Sequence, residues 1–492
     1  MYSISQNDFL VLSKRYNVIP VFKEVNADLD TPVSAFLKIK DGDYAFLLES
    51  VEGQEKLARY SILGSNPSFT FTSKGNRIEI YHPGQNKLTK FITKNTPLDE
   101  IAIIMRKFKT APVKGLPRFY GGMVGFIGYD MVRFFEKIPD KTRDDLRFPD
   151  SEFILTEDLL IFDHLKHSIK IVANVILNKK LTRRQKIQTY LDACSRIEEA
   201  AVRLENGVAR TTGEAKRRLL RVSSNMPRSR FLYMVKKAKD YIKRGDIIQV
   251  VLSQRFKVKT SRDPFAIYRT LRSLNPSPYM YFLKLKNLTI VGSSPEMLVR
   301  CEEGMISTRP IAGTRPRGKN AIEDGLLANE LRKDKKEKAE HLMLVDLGRN
   351  DLGRVSVAGS VRVNEFMNIE KYSHVMHLVS EVKGRLDKKR FDIYDCLKSA
   401  FPAGTVSGSP KIRAMQIIDE LEGTRRGPYA GCIGYFGFSQ NMDTCITIRT
   451  ILIKKDVAYV QAGAGIVADS VPEKEYTETV NKAKALIEAI KS

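Results

Sequence analysis

The sequence predicts an α/β protein (α+β) built in two parts, and three observations support this fold class. The first third contains short runs of aromatic and aliphatic residues bounded by Gly, Asn or Pro, which is typical of β-strands. From residue 229 onward, helical and strand patterns alternate to the end of the chain. The 492 residues, 42% hydrophobic and 28% charged, suit a soluble globular protein of two or three domains.

Four strands are predicted in the first third, at 44–50, 118–128, 156–163 and 168–177. A helix with charged flanks is predicted over about 182–205. The segment after it is basic and has no clear period, so we interpret it as an exposed linker, 206–228.

The pattern becomes sharper after the linker. Apolar residues at three- and four-residue steps predict a helix with one buried face, formed by Phe231, Met234, Val235, Ala238 and Ile242. Gly245 suits its C-terminal cap, and a strand is predicted directly afterwards at 246–256. A strand at 458–467 precedes the last helix, where the spacing of Ser470 and Glu473 predicts a capping box.

Charge and cysteine content bear on the class of protein. The net charge of +25 raises the possibility of nucleic-acid binding, but the basic residues are spread out and alternate with acidic ones, as in "RKDKKEKAEH" (332–341). A general attraction for anions is the more modest inference. Five scattered cysteines and no signal-peptide pattern predict reduced thiols in a cytoplasmic protein, with Cys432 as a buried structural residue.

Four glycine-rich segments in the second part predict an anion site, because glycine lets backbone N–H groups approach a ligand closely. They are "PIAGTRPRG" (310–318), "FPAGTVSGSPK" (401–411), "GPYAGCIGYFG" (427–437) and "QAGAGIV" (461–467). Each alone could be a tight turn between strands. None matches a nucleotide-binding signature, so a small carboxylate or phosphate is the better ligand.

Candidate metal and proton-transfer residues come from acidic and histidine positions. Glu340 and Glu478 lie in helical surroundings, with Glu475 one turn before Glu478, and could bind a hard cation through oxygen ligands. The alternative is that each is a solvated helix carboxylate. His374 and His377 could share a helical face, and a single imidazole used for proton transfer is more plausible there than a zinc pair.

The longer motifs resemble those of chorismate-utilising enzymes. "PIAGTRPRG", "AEHLMLVDLGRNDLGRV", "KYSHVMHLVSEVKG", "FPAGTVSGSPKIRAMQIIDELEG" and "VQAGAGIVADSVPEKEYTET" are similar to the component I family of anthranilate synthases, and the resemblance covers about 44–490. It implies a chorismate-binding fold of two interleaved α/β parts, built on antiparallel sheets flanked by helices. It also implies a tryptophan-binding N-terminal region at 15–170, the linker at 206–228 and a catalytic domain at 229–490.

The resemblance implies a reaction and a set of site residues. Ammonia adds to the chorismate ring as the 4-hydroxyl leaves, and pyruvate is then eliminated to give anthranilate. His377 and Thr405 would be catalytic, and Glu340 and Glu478 would bind Mg²⁺. The chorismate-binding residues would be Gly313, Thr314, Tyr429, Arg449, Gly463, Ala464 and Gly465.

A regulatory site and a partner are implied in the same way. "LLES" and "NPSPYM" resemble tryptophan-binding elements, so the feedback inhibitor L-tryptophan would contact Ser50, Pro278, Tyr279 and Met280. Ammonia would come from glutamine through a separate glutamine amidotransferase subunit (component II) in an α₂β₂ heterotetramer.

The family serves several products, so alternatives stay open. They are aminodeoxychorismate synthase, isochorismate or salicylate synthase, and a non-catalytic tryptophan sensor. Ala312 stands where aminodeoxychorismate synthases commonly have lysine, and Gln249 stands where the water-adding enzymes have a lysine base. Both residues favour anthranilate.

Overall fold

The structure is a computed structural model, and it describes residues 1–50, 59–177, 181–207, 220–372 and 375–492. In these ranges it contains the following helices: α1 Gln6–Leu12, α2 Pro32–Ile39, α3 Pro97–Met105, α4 Arg183–Glu205, α5 Arg228–Lys243, α6 Pro264–Leu274, α7 Ala321–Lys333, α8 Lys335–Gly353, α9 Ile393–Ala400, α10 Gly404–Ser407, α11 Lys411–Glu422 and α12 Pro472–Lys491.

The strands fall into two large sheets. They are β1 Val18–Asn26, β2 Tyr44–Glu49, β3 Tyr60–Ser65, β4 Phe69–Lys74, β5 Arg77–His82, β6 Lys87–Ile92, β7 Gly122–Ile127, β8 Ser151–Thr156, β9 Asp158–Asp163, β10 Ser168–Ile176, β11 Val222–Ser224, β12 Gln249–Lys259, β13 Tyr279–Leu285, β14 Leu288–Ser294, β15 Met297–Glu302, β16 Met305–Thr308, β17 Ile311–Pro316, β18 Arg362–Lys371, β19 Val375–Arg385, β20 Gly408–Ser409, β21 Cys432–Gly437, β22 Met442–Ile446, β23 Thr450–Lys454 and β24 Val457–Ile466.

The first sheet has the strand order β1-β10-β9-β3-β2-β13-β14-β23-β24-β12-β11, with β20 paired to β12. The second sheet has the order β17-β19-β16-β15-β22-β21-β7-β8-β4-β5-β6, with β18 paired to β19. Within each sheet the described strands pair antiparallel, which confirms the predicted antiparallel architecture.

Both sheets combine strands from the two predicted parts. β2 pairs with β13 in the first sheet, with Glu49 opposite Met280, and β7 pairs with β21 in the second. The two parts are therefore interleaved through continuous hydrogen-bonded sheets, as predicted. The division of the chain at 206–228 remains a prediction; most of that segment, 208–219, lies outside the described residues.

Three large buried clusters define the layers of the described structure, and a fourth, small cluster joins α7 to β19. Side chains from both sheets form one core between them, including Phe46 of β2, Phe126 of β7 and Leu283 of β13. The first sheet packs against α1, α2, α4, α6 and α12. The second sheet packs mainly against α7, α8 and α9, with α3 in the same buried cluster as α9. Helices thus pack on both sheets, and burying large aromatic and aliphatic side chains in the three large clusters stabilises the fold.

Most predicted elements form close to their expected bounds. The apolar face of α5 is buried at Phe231, Met234, Val235 and Ala238, and Gly245 adopts a φ of +79° just beyond the helix. Two predictions were wrong. The hydroxyl of Ser470 accepts a hydrogen bond from the Val467 N–H at 3.1 Å, so no capping box forms and α12 begins without a side-chain cap. Residues 222–224 of the predicted linker form β11 on the edge of β12.

None of the described helices is long and apolar enough to cross a membrane. All five cysteines are buried and unpaired, as predicted for reduced thiols.

Candidate active site

A polar cavity of about 660 Å³ lies where β12 and β24 of the first sheet approach β17, α8 and α12. Nine of the eleven residues predicted for chorismate, metal and catalysis line it: Gly313, Thr314, Glu340, Thr405, Tyr429, Arg449, Gly463, Gly465 and Glu478. These residues come from seven separate segments of sequence. The fold alone brings them together, which no spacing in the sequence could show.

The other two predicted residues, Ala464 and His377, are not among the residues that line the cavity. Ala464 is fully buried in β24, paired opposite Leu252 of β12. His377 lies in β19 opposite Thr314, so the expectation of a helical face was wrong. His374 falls outside the described residues.

The backbone of the 310–318 segment requires glycine at one point. Gly313 has a φ of +63° at an irregularity in the pairing of β17 with β19. An added Cβ there would lie 2.9 Å from Cδ1 of Leu331 and 3.1 Å from a carboxylate oxygen of Glu337. Glycine is therefore needed for both its conformation and the close approach of α8.

His377 holds this segment in place. Its Nδ1 lies 2.9 Å from the carbonyl oxygen of Gly313 and 3.1 Å from the hydroxyl of Thr314. Because a carbonyl only accepts, Nδ1 carries the proton, and Nε2 keeps a lone pair in the neutral ring. Burial lowers the pKa of His377, with the nearby Arg449 acting in the same direction. The ring is therefore mainly neutral at pH 7.

Two helices present carboxylates to the cavity. Glu337 and Glu340 of α8, and Glu475 and Glu478 of α12, all line it. Burial, followed by repulsion from Glu337, raises the pKa of Glu340, and burial raises that of Glu475. The only ion pair of Glu478 among the described residues is with Lys482, at 2.6 Å.

These oxygens suit a hard divalent cation. Among the residues that the structure describes, no three His, Cys, Asp or Glu side chains converge closely enough to chelate a metal ion. Mg²⁺ typically uses one or two protein carboxylates and completes its shell with water and substrate oxygens. Glu340 and Glu478, from opposite helices on one cavity, fit that ligand set.

Arg449 is a cation without a carboxylate partner. It lines the cavity, and its Nη1 donates to the backbone carbonyl of Lys482 at 2.9 Å. Within the described ranges it forms no ion pair, and burial lowers its pKa. A desolvated guanidinium with free donors is suited to bind a ligand carboxylate through two parallel hydrogen bonds.

The segment "QAGAGIV" lies mostly in β24, which confirms the strand predicted at 458–467 and excludes the alternative of a tight turn. Gly463 and Gly465 lie within β24, opposite Ser253 and Val251 of β12. Side chains at these two positions would collide with polar groups. A Cβ at Gly463 would lie 2.7 Å from Oη of Tyr429, and one at Gly465 would lie 2.6 Å from Nε2 of Gln249. Glycine thus lets two polar side chains reach the wall.

Glu296 is a cavity residue that the sequence reasoning missed. It follows β14 in "SSPEML", is 8% exposed, and accepts hydrogen bonds from the hydroxyl of Thr405 at 3.1 and 3.2 Å. Burial raises its pKa to about 8. The carboxyl is therefore mostly protonated at pH 7 and can donate a proton in the cavity. The sequence pattern that could have indicated Glu296 is an acidic residue between two apolar strands.

A buried ion pair supports the wall beside Tyr429. Arg426 and Glu422 are 1% and 2% exposed and lie 2.6 Å apart. Arg426 also donates to the carbonyls of Val251 and Val406, both at 2.7 Å, and its guanidinium lies 5.5 Å from the Tyr429 ring centroid. Val251 and Val406 line the cavity, so this pair positions three parts of its wall.

A second cavity, of about 110 Å³, lies between the two sheets. Its lining includes all four residues predicted for tryptophan, Ser50, Pro278, Tyr279 and Met280. The hydroxyl of Tyr279 donates to Asp443 at 3.0 Å, and Asp443 also pairs with Arg300 at 2.7 Å. Pro295 and Ile311 line this cavity and the first one, so the two cavities share part of a wall.

A polar cavity that combines the guanidinium of Arg449 with carboxylates on two helices suits a small organic acid as ligand. The chain belongs to the chorismate binding enzyme family, which matches residues 43–488.

Full-length relatives narrow the assignment within the family. The chain is 49% identical over 496 residues, 100% of this chain and 99% of the relative, to a protein of Acetivibrio thermocellus named anthranilate synthase component 1. An Aquifex aeolicus protein of the same name is 49% identical, over 99% of this chain and 98% of that one. The crystal structure of anthranilate synthase component I from Streptococcus pneumoniae superposes with a TM-score of 0.78 and 38% identity, covering 94% of this chain and 98% of that one.

Proposed function

We propose that this protein is the large subunit of an anthranilate synthase, which converts chorismate and ammonia to anthranilate and pyruvate in L-tryptophan biosynthesis. One observation carries the proposal: Arg449 faces the same cavity as Glu340 and Glu478, so a ligand carboxylate can bind a guanidinium while a cation is held beside it. The names of the full-length relatives support the same conclusion.

The first step needs a proton at the leaving oxygen. Ammonia attacks the ring through its lone pair, and the 4-hydroxyl leaves as water when it receives a proton. Glu296 supplies that proton, because its raised pKa of about 8 keeps it protonated at pH 7. Thr405 orients the carboxyl through its hydrogen bonds.

His377 has a different task in this scheme. Its lowered pKa leaves it neutral, so it is a poor acid for the departing hydroxyl. It fixes the Gly313 carbonyl, and its free Nε2 lone pair can accept a proton when the ring loses one as pyruvate is eliminated. Its role in assisting hydroxyl departure, which the family resemblance implies, remains untested.

The metal proposal rests on the two helix carboxylates. Glu340 and Glu478 would hold Mg²⁺, which when bound supplies positive charge for the ring carboxylate. Gln249, whose Nε2 lies 3.5 Å from Glu340, orients that carboxylate from β12.

Ammonia from glutamine requires a partner subunit. A glutaminase cysteine needs a lowered pKa and an accessible thiolate, but all five cysteines are buried and burial raises the pKa of each. The relatives' designation as component 1 also implies a second component. We therefore propose a separate glutamine amidotransferase subunit, an α₂β₂ assembly and a cytoplasmic location.

Feedback inhibition belongs to the same proposal. L-tryptophan would bind in the cavity between the sheets, against Ser50, Pro278, Tyr279 and Met280. Its shared wall with the catalytic cavity, Pro295 and Ile311, offers a direct route for coupling.

Product analysis tests the function. Chorismate, Mg²⁺ and ammonium should yield fluorescent anthranilate and pyruvate in equal amounts. The same chain given glutamine should make anthranilate only when component II is added. Isochorismate, salicylate or aminodeoxychorismate as the main product would overturn the assignment.

Two positions favour anthranilate over those products. Gln249 lines the cavity but cannot remove a proton from water near neutral pH, so water addition should be slow. Ala312 offers no amine for a covalent lysine adduct, and it is buried beside the cavity and paired with Leu378 of β19.

A further inference from the structure

A third cavity, of about 650 Å³, lies between the sheets and shares no lining residue with the other two. Strands β4, β5 and β8 of the second sheet contribute one side. The other side comes from β2, the β13–β14 turn and the end of β23 in the first sheet, with the segment 147–149 beside it. Neither the proposed reaction nor the proposed inhibitor uses this cavity.

Glu152 of β8 is a buried carboxyl on the wall of this cavity. It is 8% exposed and lies on the strand face shared with Ile154, which packs in the core between the sheets. Among the described residues it has no hydrogen-bond or ion-pair partner. Burying an ionisable group without a partner is unfavourable. A ligand that donates hydrogen bonds to Glu152 would therefore offset this free-energy cost.

The rim of the cavity carries the opposite charge. Arg147, Lys286, Lys454 and Lys455 line it, and in the part of the chain that the structure describes none of them pairs with a carboxylate. Lys454 donates to the carbonyl of Leu146 at 2.9 Å, and Nζ of Lys286 lies 5.3 Å from the Tyr81 ring centroid. Both lysines thus contact groups other than Glu152.

Apolar side chains line the same cavity as the carboxyl and the cations. Tyr44, Phe148 and Leu288 all line the cavity and are 7%, 4% and 3% exposed. A ligand that reaches from the rim to Glu152 would bury an apolar body against them.

We infer that this cavity binds a small zwitterion, with its ammonium group at Glu152 and its carboxylate or phosphonate among the rim cations. The charge pattern distinguishes it from the catalytic cavity, which suits an organic acid. The inference does not depend on the proposed enzymatic function.

Binding should release a proton at pH 7, because an ammonium ligand requires the ionised form of Glu152. The titratable and charged groups that share the cavity with Glu152 are Tyr44, Glu79, Tyr81, Arg147, Lys286, Lys454 and Lys455. Burial raises the pKa of Glu152 to about 8, so most molecules carry that proton before binding.

Calorimetry on the full chain with three matched probes tests the inference. 3-Aminopropylphosphonate has both charged ends, propylphosphonate lacks the ammonium, and propylamine lacks the anion. The first should bind at least about tenfold more tightly than either of the others, since each end adds a charge-assisted contact. Titrations in two buffers of different ionisation enthalpy should show release of nearly one proton per ligand.

Two sets of variants make the test specific. Glu152→Gln should weaken binding of 3-aminopropylphosphonate at least about tenfold and abolish proton release. Glu157→Gln, at a carboxyl outside this cavity whose pKa burial also raises, is the matched control and should change affinity less than threefold. If Glu152→Gln does not fold, the surface double variant Lys286→Ala/Lys455→Ala should show the same weakening. No binding at 10 mM, or equal affinity in these variants and the wild type, would overturn the inference.

Discussion

At the scale of single residues, burial decides which carboxyl and imidazole groups can exchange protons. Glu296 lies at the cavity wall and burial raises its pKa to about 8, whereas burial lowers the pKa of His377, which contacts the Gly313 carbonyl. On the surface, a glutamate carboxyl would titrate near pH 4 and a histidine imidazole near pH 6.5. The order of the two pKa values is therefore reversed in this site. In the proposed mechanism, these environments favour the carboxyl as the acid and the imidazole as the base.

We expect Glu296→Gln to lower kcat by about 10²- to 10⁴-fold, because glutamine keeps the shape and the Thr405 contact but has no proton to give. At a fixed concentration of free ammonia, the wild-type kcat/KM should fall as the pH rises through about 8. The variant should not show this decrease.

Glu157→Gln is a matched control for this variant. Glu157 is another carboxyl with a pKa raised by burial and a hydroxyl partner, Ser68, but it lies outside the three cavities. Its substitution should leave the pH profile unchanged. A Glu296→Gln enzyme within threefold of wild-type activity would remove Glu296 from the mechanism.

A second residue-scale prediction concerns stability. His341 of α8 is fully buried, its Nε2 lies 2.6 Å from the Ser380 hydroxyl, and burial lowers its pKa to about 4. A lowered folded pKa contributes stability above the unfolded value of about 6.5, and this contribution is lost as the pH falls toward 4. The loss should reach about 2 kcal/mol at pH 5.

The measurement is the urea midpoint at pH 7.5 and at pH 5. Wild type should lose more stability between these pH values than His341→Gln, which cannot titrate. His167→Gln, at an exposed position, should behave like the wild type. Equal pH dependence in wild type and His341→Gln would show that His341 does not contribute.

At the scale of secondary structure, the amphipathic pattern predicts helices well, but it does not show which faces meet. The buried face of α5 follows directly from its apolar spacing. By contrast, α8 and α12 carry Glu340 and Glu478, more than a hundred residues apart, and only tertiary packing places both on one cavity. The strand that became β24 was predicted, but the sequence does not reveal why it contains glycines: Tyr429 and Gln249 occupy the space that side chains would fill.

The paired helices lead to a prediction about the metal. Glu340→Gln or Glu478→Gln should raise the Mg²⁺ concentration needed for half-maximal activity by about tenfold or more, since each removes an anionic ligand. The circular dichroism spectrum should not change. Glu488→Gln, an exposed substitution on α12, is the control. Full turnover of either variant at ordinary Mg²⁺ would exclude that residue from the site.

At the scale of the whole molecule, two interleaved sheets place the predicted regulatory cavity against the catalytic one. The resemblance of sequence motifs predicted both sets of residues, but neither the shared wall of Pro295 and Ile311 nor the role of Glu296 could be predicted. These features depend on how β14, β15 and β17 pack, and single-sequence patterns do not encode contacts across so many residues. The third cavity could not be predicted either, since its charged residues come from five separate segments of sequence.

This arrangement predicts how inhibition can be separated from catalysis. Ser50 lies at the end of β2 and lines the cavity between the sheets, but it does not line the catalytic cavity. Ser50→Phe should fill much of a space of only about 110 Å³ and so exclude L-tryptophan. Inhibition acts only through a difference in tryptophan affinity between two states of the protein, so a variant that cannot bind tryptophan cannot be inhibited by it. With ammonia as nitrogen source, the variant should keep kcat within about threefold of wild type, because the substitution touches no catalytic residue. Calorimetry should show at least about tenfold weaker tryptophan binding, in parallel with a similar rise in the inhibitory concentration.

Ser50→Ala, which leaves the space open, is the matched control and should remain inhibited. If Ser50→Phe bound tryptophan and was inhibited like the wild type, the regulatory site would lie elsewhere in the molecule.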